Sequence, residues 1–182
     1  MGEARSHRVF FALWPDNEAT AHLSALAHEL TTRGGGRVMR PASLHLTLAF
    51  VGAVTPGQLS RLEEIAGGVR AESFDLCLDR LGFWPQRGIL WAGCRQPPSS
   101  LRRLSEQLDA GLVAAGFPLQ RPEGKGLVPH VTLARRVRCR DLPRLETPIR
   151  WRVDGFALVE SHLHPSAASY RTLSEFPLLA EA

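Results

Sequence analysis

The sequence lacks several features that would assign it to common protein classes. It contains no apolar run near the roughly 20 residues of a membrane-spanning helix, and its first residues hold no apolar segment long enough for a secretory signal. Its three cysteines, Cys77, Cys94 and Cys139, are odd in number, widely spaced and without a Cys-x-x-Cys pattern. This argues against a disulfide framework and against a structural zinc site, and it predicts a cytoplasmic protein with no membrane association.

Lysine is also nearly absent, because 21 of the 22 basic residues are arginine and Lys125 is the one lysine. The formal net charge of +4 suits a polyanionic partner. Arginine recognises phosphate through its forked guanidinium group, so the bias is consistent with a phosphate ligand. A genomic codon bias gives the same composition and is the simpler explanation.

What the sequence does contain is a five-residue repeat, His-x-Thr-Leu-Ala, which occurs at His45–Ala49 and again at His130–Ala134. Both copies lie in apolar segments that are typical of buried strands. Strand alternation places Leu44, Leu46 and Leu48 on one face and His45, Thr47 and Ala49 on the other. A histidine buried there must find hydrogen-bond partners, so the second face predicts a polar site.

The pattern around the two motifs is similar in the two halves of the chain. In the first half, Asp16 is a predicted helix cap and Thr55-Pro56-Gly57-Gln58 a predicted capping box. In the second half, a helix follows Pro97-Pro98 and carries Leu101, Leu104, Leu108, Leu112 and Val113. Strands are predicted at 8–14, 44–50, 74–81, 88–94 and 129–135, and the segment 149–161 is a counterpart of 74–85.

This repeated order predicts an α+β (two-lobed α/β) fold. We expect two duplicated strand–helix–strand–strand halves related by a pseudo-twofold axis, with antiparallel sheets lining a central cleft and helices outside. The predicted organisation is a single bilobal domain over 1–182. Its approximate repeat halves are 8–84 and 88–160, and the segment 161–182 closes the fold.

If the two halves face one another, two imidazoles and two threonine hydroxyls converge in the cleft. Histidine titrates near neutral pH, so one imidazole can act as a base while the other acts as an acid. Threonine hydroxyls can donate to phosphate oxygens. The arrangement suits attack at phosphorus, above all in a strained cyclic phosphate, and it requires no metal and no cofactor.

On these residues the sequence resembles the two-histidine (2H) phosphoesterases. "RPASLHLTLAFVG" and "VPHVTLAR" are similar to segments of the bacterial and archaeal RNA 2′,3′-cyclic phosphodiesterases, historically called 2′-5′ RNA ligases. The C-terminal "LVESHLHPSAASYRTLSEFPL" resembles their closing segment, although many relatives carry a glycine-rich loop there. The resemblance implies a bilobal fold and metal-independent hydrolysis of 2′,3′-cyclic phosphates to 2′-phosphomonoesters. It also implies a reversible, ATP-independent 2′-5′ ligation in some members.

Carried over by position, the resemblance implies His45 as the proton donor and His130 as the proton acceptor. Thr47, Thr132 and Arg135 would contact the phosphate. Strict alternation places Arg135 on the face opposite His130, so it reaches the cleft only if the strand ends or bulges there. The implied partner is RNA or a nucleotide with a 2′,3′-cyclic phosphate, and the expected state is a monomer with no obligate protein partner.

Several other features have both a functional and a structural interpretation. Trp84 and Tyr170 lie in polar surroundings and could stack a nucleobase, although partial burial also explains them. His162-x-His164 has the spacing of two metal ligands but lies beside a proline, so a surface loop is the better interpretation. His22 and His28 are expected to face solvent. "PEGKGLV" lacks the frame of a phosphate-binding loop.

Two other functions remain open on the sequence. A binding module without catalytic activity could use the same cleft to hold nucleotide or RNA, although binding alone does not require an acid and a base. A related phosphoesterase could act on another small cyclic phosphate, such as an ADP-ribose derivative.

Overall fold

The computed structural model describes residues 6–120, 126–138, 141–163 and 168–180. Within these residues, three α-helices pack with ten strands in an α+β arrangement. The helices are α1 (Asn17–Gly34), α2 (Pro56–Gly67) and α3 (Ser99–Ala114). The strands are β1 (His7–Leu13), β2 (Arg37–Val38), β3 (Leu46–Val54), β4 (Phe74–Leu78), β5 (Arg80–Trp84), β6 (Ile89–Gly93), β7 (His130–Arg135), β8 (Ile149–Val153), β9 (Gly155–Leu163) and β10 (Ala168–Pro177). None of the described helices is both long and apolar enough to cross a membrane.

The main sheet consists of two wings that meet at one residue pair. Its strand order is β10-β9-β1-β3-β7-β6-β5, with β2 added beside β7. We call β10-β9-β1-β3 the first wing and β7-β6-β5 with β2 the second wing. All pairings are antiparallel, and β3 pairs with β7 only at Leu46 and Val131. Between these two strands the wings are therefore joined at a single residue pair.

The strand order is symmetric about the contact between the wings, since β9-β1-β3 is mirrored by β5-β6-β7. The remaining equivalent strands, β4 and β8, pair with each other in a separate two-stranded sheet. The α+β fold class is confirmed, and the symmetry supports the proposed duplication. The first wing contains β9 from the second half of the chain, and the second wing contains β5 from the first half, so the halves 8–84 and 88–160 do not coincide with the wings.

Helix ends follow the local rules that the sequence predicts. The carboxylate of Asp16 accepts a hydrogen bond from the backbone of Ala19 at 2.8 Å. Thr55 and Gln58 form the predicted reciprocal capping box, with Pro56 in the first turn of α2. Along α3 the four leucines of the predicted apolar face are buried, whereas Val113 is 57% exposed and does not belong to that face.

The single strand predicted over 74–81 is wrong, because the chain there forms two strands in two sheets. β4 belongs to the small sheet and β5 to the second wing. Asp79 lies between them; its backbone N–H donates to the carbonyl of Gly93 at 3.0 Å, and its carboxylate accepts from the backbone of Arg95 at 2.8 Å. These bonds turn the chain from one sheet to the other.

The main core lies on the helix-covered face of the sheet and extends under both wings. Its members include Phe11, Leu46 and Leu48 of the first wing and Val131 and Leu133 of the second, all buried. A smaller cluster of Phe10, Ala12, Ala157 and Val159 lies on the opposite face of the first wing. That opposite face carries the candidate site.

Candidate active site

The two motifs meet where the wings join. The Leu46–Val131 pair places His45 and Thr132 on one side of the contact and Thr47 and His130 on the other. All four side chains line an open cleft of about 850 Å³. The structure therefore brings together the four residues that the repeat predicts.

A bulge at the same position of each motif redirects the chain. On β3, Thr47 pairs with Ala12 and Ala49 pairs with Phe11, so Leu48 is an extra residue. On β7, Thr132 pairs with Trp91 and Ala134 with Leu90, so Leu133 is the extra one. A bulge interrupts alternation and shifts every following side chain to the other face.

These bulges correct one prediction and resolve another. Ala49 does not share a face with His45 and Thr47, because it is 4% exposed and packs in the main core. The next residue of each strand, Phe50 or Arg135, turns to the cleft instead. Strict alternation would place Arg135 on the face opposite His130, and the bulge at Leu133 is what brings it to the cleft.

Both histidines are oriented by the same backbone contact. Nδ1 of His45 lies 2.8 Å from the carbonyl oxygen of Ser43, and Nδ1 of His130 lies 2.8 Å from that of Val128. A carbonyl oxygen can only accept, so each Nδ1 carries the proton and donates. In the neutral rings Nε2 then carries the lone pair and can accept a proton, and it can deliver one only after the ring has been protonated.

Burial favours the neutral form of both imidazoles. It lowers the pKa of His45 to about 4; the positive charges of His130 and Arg135 add to this effect, while the bond to Ser43 opposes it. Burial, with a further contribution from Arg135, also lowers the pKa of His130, against the bond to Val128. Without a ligand, both rings are therefore neutral at pH 7.

The aromatic surroundings of the two histidines differ. In the first wing, the ring of His45 lies 4.9 Å from Phe10, 5.5 Å from Trp14 and 5.0 Å from Tyr170. In the second wing, Trp84 meets the ring of His130 edge-on at 4.7 Å, and Trp91 lies 6.1 Å away. Trp84 and Tyr170 both line the cleft and are half-buried, so base stacking stays a prediction for each.

The charged side chains that line the cleft are cationic. None of the described lining residues is an aspartate or a glutamate. Such a cleft concentrates anions. The arginines are Arg8, Arg37, Arg40, Arg87, Arg135 and Arg136.

Sequence reasoning identified Arg135 but missed the other five arginines, together with Phe50 and Ser161, which also line the cleft. Their placement depends on strand pairing and turns, which a single sequence does not display. One available indication was the position of Arg136 directly after the second motif.

The remaining sequence candidates lie away from the cleft or outside the described residues. His162 is exposed and lies 3.0 Å from Glu160, and His164 is outside the described residues. His22 and His28 face solvent as expected.

Cys77 and Cys94 are free thiols. Cys139 and most of "PEGKGLV" are outside the described residues, and within the described part no three His, Cys, Asp or Glu side chains cluster as metal ligands.

Comparison with known proteins gives the same family in sequence and in structure. The model of the LigT like Phosphoesterase family matches residues 13–91. The RNA 2′,3′-cyclic phosphodiesterase of Thermus thermophilus is 32% identical over 187 residues, which cover 96% of this chain and 91% of the relative. The Escherichia coli enzyme of the same name is 39% identical over 101 residues, or 55% of each chain.

The crystal structure of Escherichia coli LigT complexed with 3′-AMP superposes with a TM-score of 0.86 at 28% identity. It covers 96% of this chain and 99% of LigT. The match therefore includes both wings and the cleft between them. The chain belongs to the LigT-like phosphoesterases of the 2H family.

Proposed function

We propose that the protein hydrolyses the 2′,3′-cyclic phosphate at RNA ends or on nucleotides to a 2′-phosphomonoester. The observation that carries the proposal is the pair of Nε2 atoms that His45 and His130 present to one cationic cleft, each ring held through Nδ1 by a backbone carbonyl. An acid and a base on opposite sides of a bound phosphate are what attack at phosphorus requires. A site for binding alone would need neither.

In the proposed reaction His130 is the base and His45 is the acid. Nε2 of His130 takes a proton from water as the water oxygen bonds to phosphorus. The bond between phosphorus and O3′ breaks, and Nε2 of His45 gives its proton to O3′, which leaves the phosphate on O2′. If the 5′-hydroxyl of a second RNA replaces water as the nucleophile, the same step, with O3′ leaving, forms a 2′-5′ phosphodiester without ATP, and its reverse restores the cyclic phosphate.

Thr47, Thr132 and Arg135 are the proposed phosphate contacts. The two hydroxyls can each donate a hydrogen bond, and the guanidinium group can donate two in parallel to neighbouring phosphate oxygens. All three line the cleft beside the histidines. Because every donor and proton-transfer group in this scheme is a side chain, the scheme needs no metal ion.

The acid role of His45 depends on the substrate. Its pKa of about 4 keeps the ring neutral in the free protein. A phosphate anion beside the ring favours the imidazolium form and raises this pKa. Substrate binding therefore supplies the charge that allows His45 to be protonated when the leaving oxygen needs a proton.

The relatives support this choice of substrate class. The enzymes from Thermus thermophilus and Escherichia coli are named for RNA 2′,3′-cyclic phosphate, and Escherichia coli LigT holds 3′-AMP in its crystal structure.

Free thiols at Cys77 and Cys94 support the proposed cytoplasmic location. We further propose that the protein acts as a monomer, since its two motifs assemble within one chain.

The decisive experiment is product analysis after EDTA-treated protein is mixed with a short RNA that ends in a 2′,3′-cyclic phosphate. The expected product is a 2′-phosphate end, formed by the wild type and lost in His45→Ala and His130→Ala. Conversion that disappears with EDTA and returns with added metal would contradict the metal-free scheme.

Inactivity of the folded wild type would contradict the RNA-end proposal. In that case 2′,3′-cyclic nucleotides and an ADP-ribose cyclic phosphate are the next substrates. If these are inert as well, the cleft is a binding site, and equilibrium binding of 3′-AMP would measure it directly.

A further inference from the structure

The residue after the second motif strand has an unusual backbone. Arg136 has a φ of 57°, and it is the one non-glycine residue in the described part of the chain with a positive φ. This left-handed conformation is unfavourable for a residue that carries a Cβ atom. In a continuing strand Arg136 would point away from Arg135, yet both side chains line the cleft.

Two glycines allow the segment 135–137 to pack closely in this conformation. The backbone N–H of Val137 donates to the carbonyl of Gly88 at 3.0 Å. A Cβ on Gly88 would lie 3.3 Å from Cα of Arg136, and one on Gly36 would lie 2.7 Å from Cγ2 of Val137. Both glycines themselves have positive φ values. Strain that the surrounding structure enforces in this way is typical of functional sites.

A second arginine lies on the turn that contacts this segment. Arg87 occupies the turn between β5 and β6, directly before Gly88, and its side chain is exposed and lines the same cleft. Arg87 and Arg136 thus flank one backbone contact at the edge of the second wing. No acidic side chain among the described lining residues offsets their charges.

The first wing has no equivalent of this arginine pair. Because the two bulges match, Phe50 corresponds to Arg135 and Val51 to Arg136. Val51 is 6% exposed and packs in the main core, and β3 continues past it to Val54. The first wing does carry Arg8 into the cleft, over the ring of Phe50, but it has no pair of arginines at the end of its motif strand.

We propose that Arg87 and Arg136 bind the internucleotide phosphate next to the cyclic end, which makes the site selective for RNA ends over cyclic mononucleotides. This inference rests on the proposed function. Arg135 and Arg136 are consecutive and both line the cleft, so their long side chains can contact two neighbouring phosphates of one strand. A guanidinium fork suits each phosphate, and the strand leaves the reacting centre across the second wing.

The test compares kcat/KM for 2′,3′-cyclic AMP with kcat/KM for a trinucleotide that ends in a 2′,3′-cyclic phosphate. The variant is R87Q/R136G, since glycine accepts the left-handed conformation without strain. The control is R102Q/R103Q, which removes the same charge from an exposed face of α3. We expect the wild type to have a higher kcat/KM for the trinucleotide than for cyclic AMP. In R87Q/R136G this ratio should fall about tenfold, and the fall should be larger at low salt than at high salt. The control should keep the wild-type preference.

Three results would overturn the inference. They are a wild type without preference for the trinucleotide, an equal loss on both substrates in R87Q/R136G, and an equal loss of preference in the control. Each leaves the proposed function intact, because cyclic AMP is still converted. Failure of the wild type on both substrates would instead contradict the proposed function itself.

Discussion

The two wings carry the same motif in different surroundings. Each presents a histidine anchored by the carbonyl two residues before it, a threonine, a bulge at the following leucine and an alanine in the core. Beyond the motif, three aromatic rings, Phe10, Trp14 and Tyr170, surround His45. Two, Trp84 and Trp91, lie near His130, and the second wing also carries Arg135 and Arg136 into the cleft. The comparison shows that the motif keeps the same backbone contacts and the same bulge in both wings, whereas the residue after the core alanine differs, Phe50 in the first wing and Arg135 in the second.

The largest expected effect comes from removing either proton-transfer group. In His45→Asn and His130→Asn, the new amide can still donate to the carbonyl of Ser43 or Val128, so the fold is expected to be retained. Each variant should lose about 100- to 10,000-fold in kcat on a 2′,3′-cyclic phosphate, because one proton transfer is lost. Steady-state kinetics with thermal unfolding as the control measures this.

The double variant sharpens the comparison between the wings. If the histidines act as one unit, His45→Asn/His130→Asn loses little more activity than the worse single variant. A loss confined to one of the two single variants would show that only one wing takes part in proton transfer.

The second expected effect is a loss of stability in acid. The pKa of His45 is about 4 in the folded protein and 6.5 in an unperturbed chain, so between these values the unfolded chain binds a proton that the folded chain does not. Stability is therefore full above pH 6.5 and falls as the pH falls toward 4, by about 3 kcal/mol from this one group.

Urea unfolding of the wild type and His45→Asn at pH 7 and pH 4 measures this contribution. We expect the difference in unfolding free energy between the two pH values to be smaller in the variant. The same measurement on His130→Asn gives the contribution of His130 to the pH dependence of the unfolding free energy. If the pH dependence is unchanged in both variants, burial does not lower the pKa of the two histidines.

The third effect concerns the residue that follows the core alanine in each motif strand, which is Arg135 in the second wing and Phe50 in the first. Arg135→Gln should lower kcat/KM about 10- to 100-fold, since it removes charge-assisted hydrogen bonds to the phosphate. It should also raise the pKa of both histidines, because Arg135 lowers them, and so shift the pH profile of kcat/KM upward.

The matched change in the first wing is Phe50→Leu, which we expect to lower kcat/KM less than about fivefold, because it removes part of an apolar contact and no charge. Equal losses in Arg135→Gln and Phe50→Leu would mean that the phosphate does not lie on the side of the second wing.

The smallest effect concerns the packing behind His130. A Cβ on Gly82 would lie 1.9 Å from the ring of Trp91, which itself contacts His130. Gly82→Ala should therefore cost about 1–3 kcal/mol of stability by overpacking and should also reduce kcat. Gly57→Ala, where a Cβ meets nothing within 4 Å, is the control. Chemical unfolding measures the stability of both variants. Comparable losses of unfolding free energy in Gly82→Ala and Gly57→Ala would rule out this packing effect.

Local rules predicted the local structure well. The cap at Asp16 and the capping box at Thr55 form as expected, because each involves residues three positions apart. The break at Asp79 was not predicted, because it depends on Gly93 in another strand. The edge strand β10 was not predicted either, although it pairs with the preceding strand β9, because its residues are half-buried or exposed and show no apolar pattern. Hydrophobic pattern alone does not display such pairings.

The same division holds for the candidate site. The sequence by itself determined the two His-x-Thr motifs, the predicted chemistry of an acid and a base, and the family resemblance, because these are contained in residue identity and short spacing. Tertiary structure decided which side chains meet. The register at Leu46–Val131 brings the histidines together, two bulges move Ala49 to the core and Arg135 to the cleft, and a left-handed residue turns Arg136 to the same side. The physical reason is that the direction of a strand side chain depends on its neighbouring strand, and in this protein the neighbours are distant in sequence.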